Sequence, residues 1–281
     1  MLKQRVITAI ILTAVFLAAL FGLSLTYFTL FIGAVVLIGA WEWANLSSCA
    51  ALWQRSAYVI FIALILMLTC WLIGFCTAEQ QGFNLPVVKT LLIIAVGWWA
   101  LALLLVQGYP SSAILWGHPG LRLLMGVLVL VPTWLALVYV RFQPQGAWLV
   151  VMIAGIVAAA DTGGYFTGRK FGKRKLAPSV SPGKTLEGFA GGFVSNILLA
   201  ALVAYLSNSN FWLLLAVVLP TSLFSVLGDL LESMVKRHAG VKDSGVILPG
   251  HGGILDRVDS ITAAAPVFAL ALLASGWVLG R

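Results

Sequence analysis

The sequence has few charged residues: of its 281 residues, only 9% are Asp, Glu, Lys or Arg. A soluble domain carries about 25% charged residues, so this chain has too few to cover a globular surface in water. Its hydrophobic fraction of 61% and its mean hydropathy of +1.04 agree with that shortage. We therefore expect lipid to be part of its solvent, which excludes an ordinary soluble enzyme or binding domain.

Cysteine is scarce as well, and the chain carries only Cys49, Cys70 and Cys76. They show neither CxxC spacing nor a paired framework, so the sequence predicts neither a zinc site nor a disulfide scaffold. Long linkers, low-complexity tracts and obvious internal repeats are absent too. The formal net charge of +8 would suit a nucleic-acid partner, but the cations border apolar segments, which argues against that interpretation.

Apolar segments dominate the chain, and each is long enough to cross a bilayer, which takes about 20 residues. They predict an all-α, polytopic integral membrane protein with about nine transmembrane helices, or eight because the first two are nearly fused. We divide the chain into residues 1–145, with about five helices, and residues 146–281, with the catalytic site and cytoplasmic loops. The predicted spans are Val6–Leu23, Leu25–Trp43, Tyr58–Thr77, Val87–Leu105, Leu121–Val140, Trp148–Thr167, Leu186–Leu206, Phe211–Val235 and Asp256–Leu279.

Lysines and arginines set the predicted orientation. With a cytoplasmic N-terminus and an uncleaved first segment, alternate crossing leaves only Lys89, Arg141 and Arg281 outside. Cytoplasmic loops are enriched in these cations, so we place the two large basic loops in the cytoplasm.

The nine acidic residues are unevenly distributed, and most lie between positions 161 and 259. An acid inside a span costs several kcal/mol, so by default it marks a functional site. The parity of the spans places five of these acids toward the same membrane face, the cytoplasmic one. They are Asp161, Asp229, Glu232, Asp256 and Asp259.

Segment 229–237 forms one helical face, because its polar residues follow helical spacing. Alone, this stripe could be a solvated helix end with salt bridges. The adjoining loop, KRHAGVKDSGVILPGHGGILDRVD over 236–259, combines glycines, cations and carboxylates. Glycine-rich backbone approaches phosphates closely, and Mg²⁺ is bound by carboxylates together with substrate phosphates. The combination predicts metal-assisted phosphoryl or nucleotidyl transfer.

The candidate residues in and near this loop fall into two groups. The nucleotide- or phosphate-binding candidates are Lys184, Arg237, Lys242, Gly252 and Gly253, and the metal-binding candidates are Asp161, Asp229, Asp256 and Asp259. The glycines around His251 leave it exposed, so we predict that it donates to a phosphate; a turn cap is the alternative.

The second charged segment, 169–187, contains Gly183-Lys184-Thr185, which resembles the end of a Walker A loop. That motif needs glycine at position 178, where this chain has Pro178, and we predict no strand before it, so we reject a P-loop. Lys184 remains a candidate phosphate contact, against a role in topology alone. The basic run 169–175 is interpreted as a topology determinant.

The pattern from Ser233 to Asp259 resembles the signature of the phosphatidate cytidylyltransferase (CDP-diacylglycerol synthase) family. The matching residues are Ser233, Lys236, Arg237, Lys242, Asp243, Gly245, Leu248, Pro249, His251, Gly252, Gly253, Ile254, Asp256, Arg257, Val258 and Asp259. Segments 161–170 and 181–187 look like the same family, whereas residues 1–150 resemble it only in hydropathy.

The resemblance implies that the protein catalyses the reaction of CTP with phosphatidic acid, which gives CDP-diacylglycerol and pyrophosphate in phospholipid synthesis. It implies a bacterial cytoplasmic (inner) membrane with the site facing the cytoplasm, Mg²⁺ as cofactor, and a monovalent cation such as K⁺ beside it. Asp229 and Asp256 would hold the metal, and Ser233, Lys236 and Arg257 would form the phosphate site. The expected partners are CTP, membrane phosphatidic acid and a second copy of the chain in a homodimer, without nucleic acid.

Two other functions are compatible with parts of the pattern. A CTP-dependent polyprenol or lipid kinase would use the same nucleotide and metal but transfer the γ-phosphate, and the full 233–259 pattern argues against it. An ion-coupled transporter would also keep acids in its spans. It should show inverted repeats or matched broken helices, whereas these acids lie in one half of the chain.

Overall fold

The computed structural model describes residues 2–75, 82–248, 250 and 252–277. Within them the chain forms a bundle of helices with one two-stranded hairpin. The helices are α1 (Leu2–Gly22), α2 (Leu25–Leu46), α3 (Leu52–Leu72), α4 (Leu85–Gln107), α5 (Ala113–Trp116), α6 (Pro119–Phe142), α7 (Gly146–Phe171), α8 (Leu186–Ser207), α9 (Phe211–His238) and α10 (Leu255–Ser275), and the strands are β1 (Lys175–Ala177) and β2 (Ser181–Thr185).

Eight helices among the described residues are long and apolar enough to cross a membrane, which confirms an all-α polytopic protein. Of the nine predicted spans, the first appears as a shorter apolar helix, Val6–Gly22. Helix α3 begins at Leu52 rather than Tyr58, because Gln54 accepts a hydrogen bond from Ala51 N at 3.2 Å and caps the added turn. The ends predicted at Thr77 and Leu279 lie outside the described residues.

A β-hairpin that the sequence did not predict precedes α8. Strand β1 pairs antiparallel with β2, and the side chain of Thr185 then accepts from Gly188 N at 3.0 Å and caps α8. Lys184 therefore does lie on a strand that leads into a helix, and the expectation of no strand was wrong. Pro178 still departs from the P-loop pattern.

Helix α10 lies at the centre of the bundle, packed against α9, α6, α4 and α7. Its residues 263–269 are buried, and most of them are alanine. Thr133 on α6 donates to the carbonyl of Thr262 at 3.1 Å, which adds a polar link in this apolar core. The last helix is thus surrounded by helices from both halves of the chain.

Contacts at the helix ends show which ends share a face. At the start of α6, Arg122 donates to the carbonyl of Leu46 at the end of α2, over 2.7 Å. At the other end of α6, Arg141 donates to the carbonyl of Leu20 on α1 over 3.1 Å. This pairing of ends is the one that alternate crossing predicts.

One cysteine departs from the sequence prediction. Cys70 is disulfide-bonded, whereas Cys49 is free. Cys70 lies near the C-terminal end of α3, which the predicted orientation places outside the cytoplasm. Disulfides persist in oxidising compartments such as the periplasm, so the bond agrees with that side.

Candidate active site

The charged residues of the C-terminal half meet at one end of the helix bundle. Five elements reach this end: the C-terminal parts of α7 and α9, the N-terminal ends of α8 and α10, and the hairpin. Lys184 on β2 pairs with Asp229 on α9 at 2.6 Å, and Lys236 on α9 pairs with Asp256 on α10 at 2.6 Å. The two charged segments of the sequence therefore form one cluster.

Asp229 lies in the accessible part of this cluster. In its pair with Lys184 the side chains are 27% and 25% exposed, and its second oxygen accepts from Ser233 Oγ at 3.1 Å. An ion pair near the surface is worth only about 0–1 kcal/mol, so a different cation can replace the ammonium at low cost. The arrangement leaves Asp229 available to a metal ion and Lys184 available to a phosphate.

Lys236 occupies the buried part of the cluster. Its ammonium lies 2.6 Å from Asp256 Oδ1 and 3.2 Å from Glu232 Oε2. A buried ammonium is tolerated only when it is paired and hydrogen-bonded, so these two carboxylates hold it in place. Lys236 consequently joins α9 to α10 and provides a positive charge of fixed position.

Asp256 is fully engaged by hydrogen bonds. While one oxygen binds Lys236, the other accepts from Ser244 N at 2.9 Å, Ser244 Oγ at 3.0 Å and Gly253 N at 2.8 Å. The carboxylate thus holds the loop between α9 and α10 to the start of α10.

Carboxylates outnumber ammonium groups in the cluster. Asp229 lies close enough to Asp259 for their negative charges to repel each other, and the carboxyl group of Asp259 contacts that of Glu232. Glu232 Oε1 is buried and receives no hydrogen bond from any donor among the described residues. Buried carboxylates without compensation are costly, and hard oxygen donors suit Mg²⁺, so this donor set fits a divalent cation. No three His, Cys, Asp or Glu side chains in the described part of the chain form a ready-made cage.

A cavity of about 350 Å³ lies beside Lys184, between α7 and α8. Its charged groups are Asp161, Arg169 and Lys184, and Asp161 is within electrostatic reach of Asp229. The apolar lining includes Tyr165, Phe189, Phe193 and Val226. Pockets with apolar walls and a few placed charges bind amphiphilic ligands, so the shape and lining of this cavity suit such a ligand.

Glycines allow α7 and α8 to approach closely beside this cavity. Gly164 and Gly168 on α7 lie against Gly188 on α8, and a Cβ added at Gly192 would lie 2.6 Å from the carbonyl oxygen of Ala160. Small residues four apart let membrane helices pack at short distance. This packing role was not predicted, although the four-residue spacing of the glycines is visible in the sequence.

Three predicted cations lie around the cluster. Arg237 donates through Nε to the carbonyl of Val180 at 3.4 Å and so ties α9 to the hairpin. Lys242 is exposed in the loop, and Arg257 is exposed on the first turn of α10. All three cationic residues are therefore exposed at the surface near the cluster.

The predicted loop glycines form a tight turn. Gly252 has φ of +81°, and its carbonyl accepts from Leu248 N at 2.9 Å. Glycine adopts this left-handed backbone without the steric cost of a Cβ. Gly253 donates to Asp256, as described above. His251 lies outside the described residues.

Another carboxylate comes to this end from the N-terminal half and was not a predicted site residue. Glu42 on α2 accepts from Ile254 N at 2.9 Å, Leu255 N at 2.8 Å and Ser244 Oγ at 3.1 Å. An acid within an apolar span was the available signal. Sequence spacing could not reveal which distant loop this carboxylate reaches.

Comparison with known proteins covers nearly the whole chain. The profile of the Cytidylyltransferase family matches residues 3–275. The chain is 43% identical over 281 residues to a phosphatidate cytidylyltransferase of Pseudomonas aeruginosa, covering 99% of each chain. It is 42% identical over 283 residues to a protein of the same name from Haemophilus influenzae, covering 95% of this chain and 97% of the relative. A third relative so named, from Staphylococcus aureus (strain COL), is 47% identical over 135 residues, covering 47% of this chain and 52% of the relative.

Proposed function

The chain belongs to the cytidylyltransferase family, and on that premise we propose that it transfers the cytidylyl group of CTP to phosphatidic acid, giving CDP-diacylglycerol and pyrophosphate. The observation that carries this proposal is 43% identity to a phosphatidate cytidylyltransferase over 99% of both chains. The charged cluster at one end of a bundle of membrane helices supports it, because a lipid and a nucleotide must meet at such an interface.

In this reaction an oxygen of the lipid phosphate attacks the α-phosphorus of CTP. The new O–P bond forms while the bond to the β-phosphate breaks, and pyrophosphate leaves. A phosphate monoester is already ionised at neutral pH, so no strong general base is required. The obstacle is the repulsion between two polyanions, which fixed positive charges and positioning reduce.

Different residues of the cluster would reduce this repulsion and position the substrates. Lys236 is held between two carboxylates and contributes a fixed positive potential beside the reacting phosphates. Lys184, with the weaker and more exposed pair, turns from Asp229 to a phosphate oxygen. Ser233 and Arg257 complete the phosphate site. The apolar wall of the cavity beside Lys184 suits the lipid substrate better than the nucleotide.

Mg²⁺ is the proposed cofactor, with a monovalent cation such as K⁺ as a second ion. Asp229 would hold the metal, with Asp161 and Asp259 beside it, and Asp256 would have to exchange one of its hydrogen bonds to join them. When bound, Mg²⁺ neutralises triphosphate charge and polarises the α-phosphorus. Protein Mg²⁺ sites commonly use one or two carboxylates plus substrate phosphates, which this donor set can supply.

The proposed location is a bacterial cytoplasmic membrane with the charged cluster facing the cytoplasm. The concentration of lysine and arginine at that end supports this orientation, and so does the disulfide of Cys70 near the other face. CTP then arrives from the cytoplasm and phosphatidic acid from the bilayer. A homodimer and the lack of a nucleic-acid partner stay predictions.

Isotope position tests the reaction. The purified full-length protein, given phosphatidic acid, Mg²⁺ and CTP labelled at the α-phosphate, should produce labelled lipid and unlabelled pyrophosphate. Label that enters lipid only from the γ-phosphate would instead identify a lipid kinase. Lipid that stays unlabelled with either nucleotide would exclude both enzymes.

A further inference from the structure

Glu42 is a buried carboxylate from the half of the chain that carries no other part of the cluster. Glu42 lies in α2, and only 2% of its surface is exposed. No described lysine, arginine or histidine forms a salt bridge with it. A buried charge is costly unless other groups satisfy it, and here two backbone N–H groups and one hydroxyl do so.

Two of these donors belong to the first turn of α10. The amides of Ile254 and Leu255 are among those that a helix cannot satisfy internally, and the N-cap residue of α10 makes no side-chain cap of its own. The carboxylate of Glu42 therefore caps α10 from another helix. A negative charge at a helix N-terminus is also favoured by the helix dipole.

The third donor connects Glu42 to the proposed active site. Ser244 Oγ lies 3.1 Å from Glu42 Oε2 and 3.0 Å from Asp256 Oδ2, so one hydroxyl lies between two carboxylates. Asp256 in turn binds Lys236. A continuous series of polar contacts thus runs from α2 to the fixed ammonium of the cluster.

The position of Glu42 also explains why two positions of the loop are occupied by glycine. A Cβ at Gly253 would lie 2.5 Å from both oxygens of Glu42, and a Cβ at Gly245 would lie 2.7 Å from Oε1. The carboxylate occupies the space that side chains would need. A side chain at either position would clash with the carboxylate or displace it from its donors, which gives these two glycines a packing role.

We propose that Glu42 is a positioning residue, which fixes the 244–255 loop and the start of α10 so that Asp256 and Lys236 keep their orientation toward substrate. The catalytic part of this proposal rests on the proposed function. Glu42 itself touches no substrate. The N-terminal half then contributes to catalysis through this contact.

Glu42→Gln is the direct test. Both oxygens of Glu42 accept a backbone N–H, whereas the amide of Gln has one acceptor and must direct its NH₂ at a donor. We expect kcat to fall at least about tenfold, as for loss of an outer partner of a site, while KM for CTP changes far less. Hydrogen exchange of the amides of Ile254 and Leu255 should accelerate locally.

Ser47→Ala is the matched control. Ser47 is also buried near the end of α2, but among the described residues its hydroxyl bonds only to the carbonyl of Trp43 on the same helix. It should leave exchange at 254–255 and turnover close to wild type. Glu42→Asp keeps the charge and should retain more activity than Glu42→Gln.

Ser244→Ala keeps the test valid if Glu42→Gln does not fold, because it removes only the bridging hydroxyl and should lower kcat by a smaller factor. Wild-type turnover in Glu42→Gln, unchanged local exchange, or the same losses in Ser47→Ala would each overturn the proposal. A wild-type protein that makes no CDP-diacylglycerol would refute the proposed function instead, and the exchange measurement would still decide whether Glu42 holds the loop.

Discussion

Lys184 and Lys236 show how burial separates the roles of two chemically identical side chains. Lys184 and its partner Asp229 are each about one-quarter exposed, whereas Lys236 is 10% exposed and its carboxylates are 3% and 6% exposed. The exposed pair is weak and exchangeable, and the buried pair resists separation because each charge would lose its compensation. The same contrast distinguishes Asp229 from Asp256, and two substitutions test it.

Asp229→Asn should lower turnover at least about 100-fold if Asp229 holds the metal, since even outer-shell changes cost 10–100-fold. The melting temperature in detergent should change little, because the pair with Lys184 contributes at most about 1 kcal/mol. Arg174→Ala, on the exposed basic run, is the control and should keep near-normal turnover. Normal activity in Asp229→Asn would remove it from the metal site, and a comparable loss in Arg174→Ala would contradict the topological role of that run.

Asp256→Asn should lower turnover and also loosen the loop. Asparagine cannot accept at both ends as Asp256 does from Lys236 and from Ser244 and Gly253. Limited proteolysis should cleave within 241–254 faster than in the wild type, whereas Asp229→Asn should leave that rate unchanged. An equally resistant loop in Asp256→Asn would show that the carboxylate does not hold it.

At the scale of elements, the junction of α7 and α8 depends on missing side chains. Glycines on both helices bring the backbones close enough to set the width of the cavity next to the charged cluster. Helix α8 is then held by the cap from Thr185, and Glu187 fixes the preceding loop by accepting from the backbone of Lys173 at 2.9 Å. Lys184 lies on the strand just before this junction, so its position depends on the helix pair.

Gly192→Ala should destabilise the protein by about 1–3 kcal/mol through overpacking. Its Cβ would lie 2.6 Å from the carbonyl oxygen of Ala160, and backbone cannot move aside without shifting α7. Gly155→Ala on α7 is the control, because its Cβ would meet only Leu199 Cδ2 at 3.9 Å. Thermal melting in detergent should show a lower midpoint for the first variant and an equal or higher one for the second. Equal midpoints would show that the helices separate freely.

At the scale of the whole molecule, the two halves of the chain are interdependent. Helix α10 is packed among helices of both halves, and Glu42 crosses from α2 to the loop of the proposed site. Four helix ends share one face of the bundle: the C-terminal ends of α2 and α9 and the N-terminal ends of α6 and α10. The whole fold therefore presents one charged face, and its side of the membrane can be measured.

Cysteine labelling tests the orientation of that face. In a Cys49→Ser background, Val246→Cys places a thiol at a residue that is 95% exposed in the loop of the cluster. Pro144→Cys places one at an exposed turn between α6 and α7, at the opposite end of the bundle. An impermeant maleimide applied to intact cells should label position 144 after outer-membrane permeabilisation, and position 246 only after the cytoplasmic membrane is opened. The reverse pattern would place the cluster outside.

Much of the fold follows from hydropathy, because a bilayer demands about 20 apolar residues per crossing and leaves few alternatives to a helix. The spans beginning at Leu186 and Phe211 start in the structure where they were predicted. The hairpin was missed because its five-residue strand SPGKT is polar and short. The first predicted span, Val6–Leu23, corresponds to α1, Leu2–Gly22, whose apolar part Val6–Gly22 is shorter than the other eight spans.

The sequence by itself determined that the protein is a membrane-embedded helix bundle with an acid-rich face, since periodicity, span parity and charge are local properties. The loop pattern from Ser233 to Asp259 further indicated its chemistry. Only the tertiary structure decided which charges pair, that Asp256 holds a loop, and that Glu42 belongs to the same network. Glu42 and Ser244 are 202 positions apart, and such a contact arises from packing of whole helices, which no local pattern encodes.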